Sequence, residues 1–218
     1  MKKMITILSF FLMSLSSVTM ASGGHIQLQK ANNDLRDKAS LQRGAILFSE
    51  YCLSCHSLKY IRFNRIARDL GWTEKEVLQK MAFSQYKFYD DVIQRIPADV
   101  EHQVFGTVAP DLSLMARLKG TDYIYSFLLG FYQKEKGQWD NQLLPGTAMP
   151  NVLVGLERHE KKAVVEQNVR DLANFLEYVS EPVKTQRWDL GWKVLLFLAL
   201  FFILTYLLKK EYWRDVKK

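Results

Sequence analysis

The 218-residue sequence is poor in cysteine, histidine and proline, with two, four and five of them respectively. Two cysteines permit at most one disulfide, which excludes the disulfide-dense scaffolds of small secreted domains. Cys52 and Cys55 have no second C-x-x-C elsewhere, so a four-thiolate zinc site is excluded as well. The chain holds no G-x-S-x-G, no H-E-x-x-H and no phosphate loop, and with them go the common hydrolase, zinc-protease and nucleotide-binding classes. A concentrated basic face is missing too. Of the formal charge of +7, Lys2 and Lys3 supply two and the tail from Lys209 to Lys218 a net three, leaving a net two for everything between. That distribution fits export and membrane orientation and argues against a nucleic-acid partner.

What is present is Tyr51-Cys52-Leu53-Ser54-Cys55-His56, which carries both cysteines and a histidine directly after the second. This is the C-x-x-C-H attachment site of a c-type haem. Residues three apart lie on one face of a helical turn, so both thiols reach the two vinyl groups of one porphyrin. His56 is then carried under the iron as one axial ligand. A thioredoxin-like redox pair and half a zinc site are the competing readings, but the first has no need of His56 and the second lacks its partner pair. For the other axial position the chain beyond residue 21 offers His25, His102, His159, Met81, Met115 and Met149. His25 lies beside the leader, His159 stands in a charged helix start, and Met81 and Met115 occupy apolar helical positions that read as core filler. Met149 alone lies in a loop, Gly-Thr-Ala-Met-Pro, where Pro150 disfavours helix and stiffens the backbone. It is the expected second ligand, with His102 next. Six-coordinate His/Met iron passes single electrons without bond chemistry, at a potential raised by the thioether.

The order of segments places this site in an exported, anchored domain. Residues 1–21 read as a signal peptide, with Lys2 and Lys3 before an apolar run from Ile5 to Val18 and small residues at the cut. An uncleaved second anchor is the alternative, though the run is short for a span. Residues 22–182 form the expected periplasmic c-type cytochrome domain, beginning with a polar, exposed lead-in to Ala39. Leu41, Ala45, Phe48 and Cys52 then make one helical stripe into the haem motif. Gly44 beside that stripe costs roughly 1 kcal/mol relative to alanine, so another backbone is expected to come close there. For Arg62, Arg65 and Arg68 two readings stand: one guanidinium matched to a haem propionate, or solvated charge, which is the commoner fate of any one of them. Thr73-Glu74-Lys75-Glu76 is a capping box opening a helix to about Ala82, and Asp111 or Ser113 is placed to cap the helix that follows. Phe83 to Val104 fixes no secondary structure. A last soluble helix runs from about Glu160 to Val179 and ends before Pro182. Residues 183–190 are expected as a linker, 191–208 as a transmembrane helix of about 27 Å, and 209–218 as a cytoplasmic basic tail. Lys193 snorkels at one end, Trp188 and Trp192 suit one headgroup layer, and Tyr212 and Trp213 suit the other. The fold class is all-α: a c-type cytochrome domain with long loops plus one C-terminal transmembrane helix.

Signal peptide, C-x-x-C-H-S, Ala-Pro-Asp-Leu-Ser, Ala-Arg, Gly-Thr-Asp-Tyr, Pro-Gly and Ala-Met-Pro, then an anchor with a Lys-Lys-x-x-Trp tail, together resemble the cytochrome c1 family of the respiratory quinol:cytochrome c oxidoreductase in its bacterial form. Gly44 and Phe48 likewise look like the helix-crossing pair of small c-type cytochromes. The resemblance implies one covalently bound haem c, Cys52 and Cys55 as thioether sites, and His56 and Met149 as axial ligands to the metal. It also implies Pro110 as the wall behind the histidine, its carbonyl accepting from the ring N–H, with Tyr123 along the haem edge. Arg117 belongs to the matching Ala-Arg. Two residues on, where the family often has a propionate arginine, stands Lys119, which neutralises charge without forming a fork. Leu144-Pro145-Gly146 keeps the family's bend and loses its ring. The implied partners are a cytochrome b subunit, a Rieske iron-sulfur protein, a soluble or anchored cytochrome c, and membrane lipid. The implied location is the bacterial inner membrane, single-pass, with the haem domain periplasmic. Asp90, Asp91, Asp99 and Glu101 are the expected acidic docking residues for a basic carrier. The alternative is a free-standing anchored cytochrome feeding a terminal oxidase, against which the long stretch between His56 and Met149 argues.

Overall fold

The computed structural model describes residues 26–83, 85–134 and 137–217, and the expected signal peptide lies outside them. Helix α1 (Lys38–Tyr51) starts where the Asp37 side chain accepts from the Ser40 N–H, and it ends at Cys52. Helix α2 (Phe63–Leu70) stops at Gly71, whose φ of +69° is the left-handed turn glycine supplies without strain. Helix α3 (Glu74–Val77) opens with the predicted capping box from Thr73 and Glu76, and its last turn continues as a π-helical stretch, Leu78–Ala82. Then come α4 (Ala98–Phe105), α5 (Met115–Lys119), α6 (Thr121–Leu129), α7 (Val154–His159) and α8 (Lys162–Ser180). The break between α5 and α6 falls at Gly120. Two short antiparallel pairs, β1 (Leu58–Arg62) with β2 (Asp91–Val92) and β3 (Phe131–Gln133) with β4 (Trp139–Asn141), add a little sheet to a helical fold.

The core is organised by the crossing of α1 and α8. A Cβ added at Gly44 would stand 2.1 Å from the Asp171 backbone oxygen and 2.8 Å from Phe175 Cβ, so only glycine lets the two helices approach this closely. Phe48 stacks into the opening four residues on, with its ring centroid 5.8 Å from that of Phe175. Both rings are fully buried, worth about 1.5–3 kcal/mol each in apolar area removed from water. Beside the crossing, the buried Asp171 carboxylate accepts from Ser40 Oγ at 2.6 Å and from Arg43 Nε at 2.6 Å. A buried carboxylate with a cation and a hydroxyl is a satisfied one.

Three expectations change. The lead-in before α1 is not an exposed tail: Gln29 N donates to Ser126 Oγ, Ala31 N to Asp122 Oδ1 and Arg170 Nε to Ala31 O, so it straps across α6 and α8. Asp111 and Ser113 do not cap α5, whose N-cap is Leu114 without a side-chain bond. Instead Asp111 Oδ2 accepts from Lys59 N and Ser113 Oγ from Tyr60 N, tying this turn to β1. The stretch in which the sequence fixes no secondary structure holds β2 and most of α4. The expected linker at 183–190 is helical, because α9 (Lys184–Tyr212) begins immediately after the Pro182 break. Its first turns are tethered by Lys184 to Glu177, Arg187 to Glu181 and Arg36 to Asp189. α9 is 29 residues long and contains an exposed apolar stretch long enough to cross a membrane.

Candidate functional site

The helical turn of α1 continues through the C-x-x-C-H motif, because the Cys52 carbonyl accepts from Cys55 N at 3.1 Å and from His56 N at 2.8 Å. Both sulfurs and the imidazole are thereby carried on one side of one turn. They line a cleft of about 390 Å³ together with Pro110, Lys119, Tyr123 and Met149. Seven of the eight predicted site residues are therefore brought to one place. The eighth, Arg117, does not line the cleft: its charge acts on Glu181, a carboxyl held low first by its hydrogen bond from Arg187. Most of the remaining wall is apolar, with Phe127, Leu128, Val152, Leu172 and Leu176 among its members.

His56 is nearly buried, and its Nδ1 lies 2.8 Å from the Pro110 carbonyl oxygen. A carbonyl only accepts, so Nδ1 carries the proton and Nε2 keeps its lone pair for a metal. Burial pushes the imidazole pKa down, against the opposing pull of the Pro110 carbonyl, Glu101 and Asp111. Burial also raises both thiols, Cys52 to about 12, with Cys55 raised further by Glu101. Met149 reaches the same cleft from a loop gripped at both ends. Upstream, Asp140 Oδ1 accepts from Gly146 N at 2.7 Å, while Asn141 Oδ1 accepts from Leu143 N and Leu144 N. Downstream, Asn151 Oδ1 accepts from Leu153 N. Two thiols, an imidazole with one nitrogen committed, a thioether and apolar walls make up the donor set that a tethered haem requires.

Other candidates lie elsewhere. Arg62 pairs with Asp91, and Arg65 and Arg68 with Asp69; none lines the cleft. His102 is exposed on α4 and is not part of the wall. Met81 is core filler, but Met115 lines the cleft, contrary to expectation. Of the four acidic residues expected to dock a carrier, Glu101 is only 1% exposed and faces the cleft instead. Sequence reading missed Glu101, Asp140 and Asn141 as site-building residues. The run of polar residues around Asp140 carries no motif that marks them.

Comparison with known proteins agrees with this geometry. The sequence model of the Cytochrome C1 family matches residues 29–216. A cytochrome c1 of Allochromatium vinosum is 40% identical, covering 99% of this chain and 100% of that protein. A Nitrosomonas europaea protein called ammonia monooxygenase gamma subunit is 37% identical over 98% of this chain and 99% of its own length. Among solved structures, a chain of a hyperthermophilic respiratory complex III superposes with a TM-score of 0.56 at 20% identity, covering 97% of this chain and 94% of that one. With its C-x-x-C-H turn, its methionine loop and its anchor all inside the matched region, the chain belongs to the cytochrome c1 family.

Proposed function

We propose that the chain is the haem-bearing subunit of a quinol:cytochrome c oxidoreductase, moving single electrons from a Rieske iron-sulfur protein to a cytochrome c. The observation that carries this reading is that Cys52, Cys55, His56 and Met149 line one cleft, with the His56 tautomer set by Pro110. In this reading Cys52 and Cys55 would tether a single haem c, and His56 Nε2 and the Met149 sulfur would hold its iron. Haem, when bound, supplies a one-electron iron couple. The chain's residues do the rest. Pro110 holds the imidazole in its ligating tautomer, and Met149 would supply a thioether that raises the potential. Leu128, Leu172 and Leu176 keep water from the cleft, and Lys119 places a cation at its edge.

The domain occupies 22–182 on the periplasmic face of the bacterial inner membrane, α9 spans the bilayer, and the basic residues from Lys209 onward hold the C-terminus in the cytoplasm. A cytochrome b subunit packs against the anchor. Mild solubilisation of membranes and purification through this chain tests the assignment. Cytochrome b and an iron-sulfur subunit are expected to come with it. A haem-bearing chain recovered alone from active membranes would instead make it a free-standing shuttle.

A further inference from the structure

Glu101 lies on α4 at 1% exposure, inside the wall of the cleft. Its Oε2 accepts from Ala109 N at 3.1 Å and from Gln94 Nε2 at 3.4 Å, and neither donor is a cation. Its Oε1 has no partner. A buried carboxylate with an idle oxygen is a costly thing to keep, and it calls for a reason.

The hydrogen bonds around it form a closed circuit on the imidazole. Ser57, next to His56, donates through Oγ to Gln94 Oε1 at 2.8 Å and accepts from Gln94 N at 2.9 Å. Gln94 reaches Glu101, Glu101 holds Ala109, and Ala109 precedes Pro110, whose carbonyl holds His56 Nδ1 at 2.8 Å. Glu101 is therefore locked in position relative to the histidine, and it cannot swing out to solvent. A negative charge fixed in a low-dielectric wall acts on a nearby redox centre far more strongly than one in water. It favours the more positive, oxidised state.

We propose that Glu101 is a positioning residue that sets the reduction potential of the haem, its locked carboxylate holding a negative charge beside the histidine side of the ring and stabilising the oxidised iron. This rests on the haem reading above. The experiment is a redox titration at neutral pH of membranes carrying the full chain, comparing wild type with Glu101→Gln, Glu101→Ala and Glu101→Asp. Asp99→Asn serves as control, since it removes the same charge from an exposed position on the same helix.

Glu101→Gln and Glu101→Ala are expected to favour the reduced form about tenfold, an upward shift of ~59 mV for one electron. Both should keep the low-spin absorption spectrum, Glu101→Asp should return most of the shift, and Asp99→Asn should move the ratio less than twofold. An unchanged potential in both charge-removing variants overturns the proposal, as does loss of haem from both, which would make Glu101 a structural prop. Absence of covalent haem from wild-type membranes would instead strike down the underlying reading, so the two failures are told apart by the wild type alone.

Discussion

The two walls of the cleft are built on different plans. The His56 wall is local and buried: the imidazole follows the end of α1, and its ring is held by a circuit through Ser57, Gln94, Glu101 and Pro110. The Met149 wall is a loop on the surface, shaped at a distance by Asp140 and Asn141, which accept hydrogen bonds from the backbone of residues 143, 144 and 146. The first wall stands on the helix crossing, and the second on a two-stranded hairpin. Damage to the first should therefore cost the whole domain, and damage to the second should cost one ligand.

The largest effect is expected from the crossing itself. Gly44→Val would drive a branched side chain into the Asp171 backbone, where a single Cβ already stands 2.1 Å from the oxygen. Backbone in the middle of a helix has little room to retreat, so the cost should reach or pass the upper end of the usual ~1–3 kcal/mol for overpacking. Little haem-staining protein should accumulate in membranes. Accumulation at the wild-type level would mean that α1 is not clamped by α8.

Met149→Leu is next, and it should leave the fold standing. The variant should keep its covalent haem but lose the low-spin signature, bind carbon monoxide when reduced, and fall in potential by more than one tenfold step of about 59 mV. Met115→Leu is the control within the same cleft. Met115 N bonds Leu112 O, and Leu112 N bonds Ser57 O, which places that methionine's backbone on the histidine wall. Its spectrum should stay low-spin. An unaltered spectrum in Met149→Leu together with a changed one in Met115→Leu would exchange their roles.

This contrast also explains what the sequence made legible. The C-x-x-C-H turn, the Gly44 and Phe48 pair, the Thr73 capping box and the apolar span are all patterns within a few residues, and each appears where expected. Asp111 and Ser113 had the composition of caps, yet their acceptors were taken by Lys59 N and Tyr60 N more than fifty residues away in the chain. The polar lead-in lacked a periodic apolar pattern because it is held by hydrogen bonds to Asp122, Ser126 and Arg170. Glu101 looked like one more surface acid, since nothing in its neighbours announces that α4 turns it inward. Pairings of this kind have no period, and only the assembled chain displays them.

Asp140 offers the finest cut between the walls. Hydrogen bonds from Lys134, Gly146 N and Asn141 N hold its carboxyl down at about 2, against an ordinary value of 3.8. The folded state therefore binds this proton less readily than the unfolded one, so the group stabilises the hairpin above about pH 4, and that contribution is lost as the pH falls toward 2. Of the donors to Asp140, Gly146 N is the one nearest Met149 in the chain, so the methionine loop should loosen in the same window. Following the methionine-ligation absorption band and the far-ultraviolet signal together through an acid titration measures this. The band should fade at a higher pH than the helix signal, and Asp140→Asn should already show a weakened band at neutral pH with less further change on acidification. If band and helix signal are instead lost together in both proteins, the two walls form a single cooperative unit and Asp140 is not a separate anchor of the methionine loop.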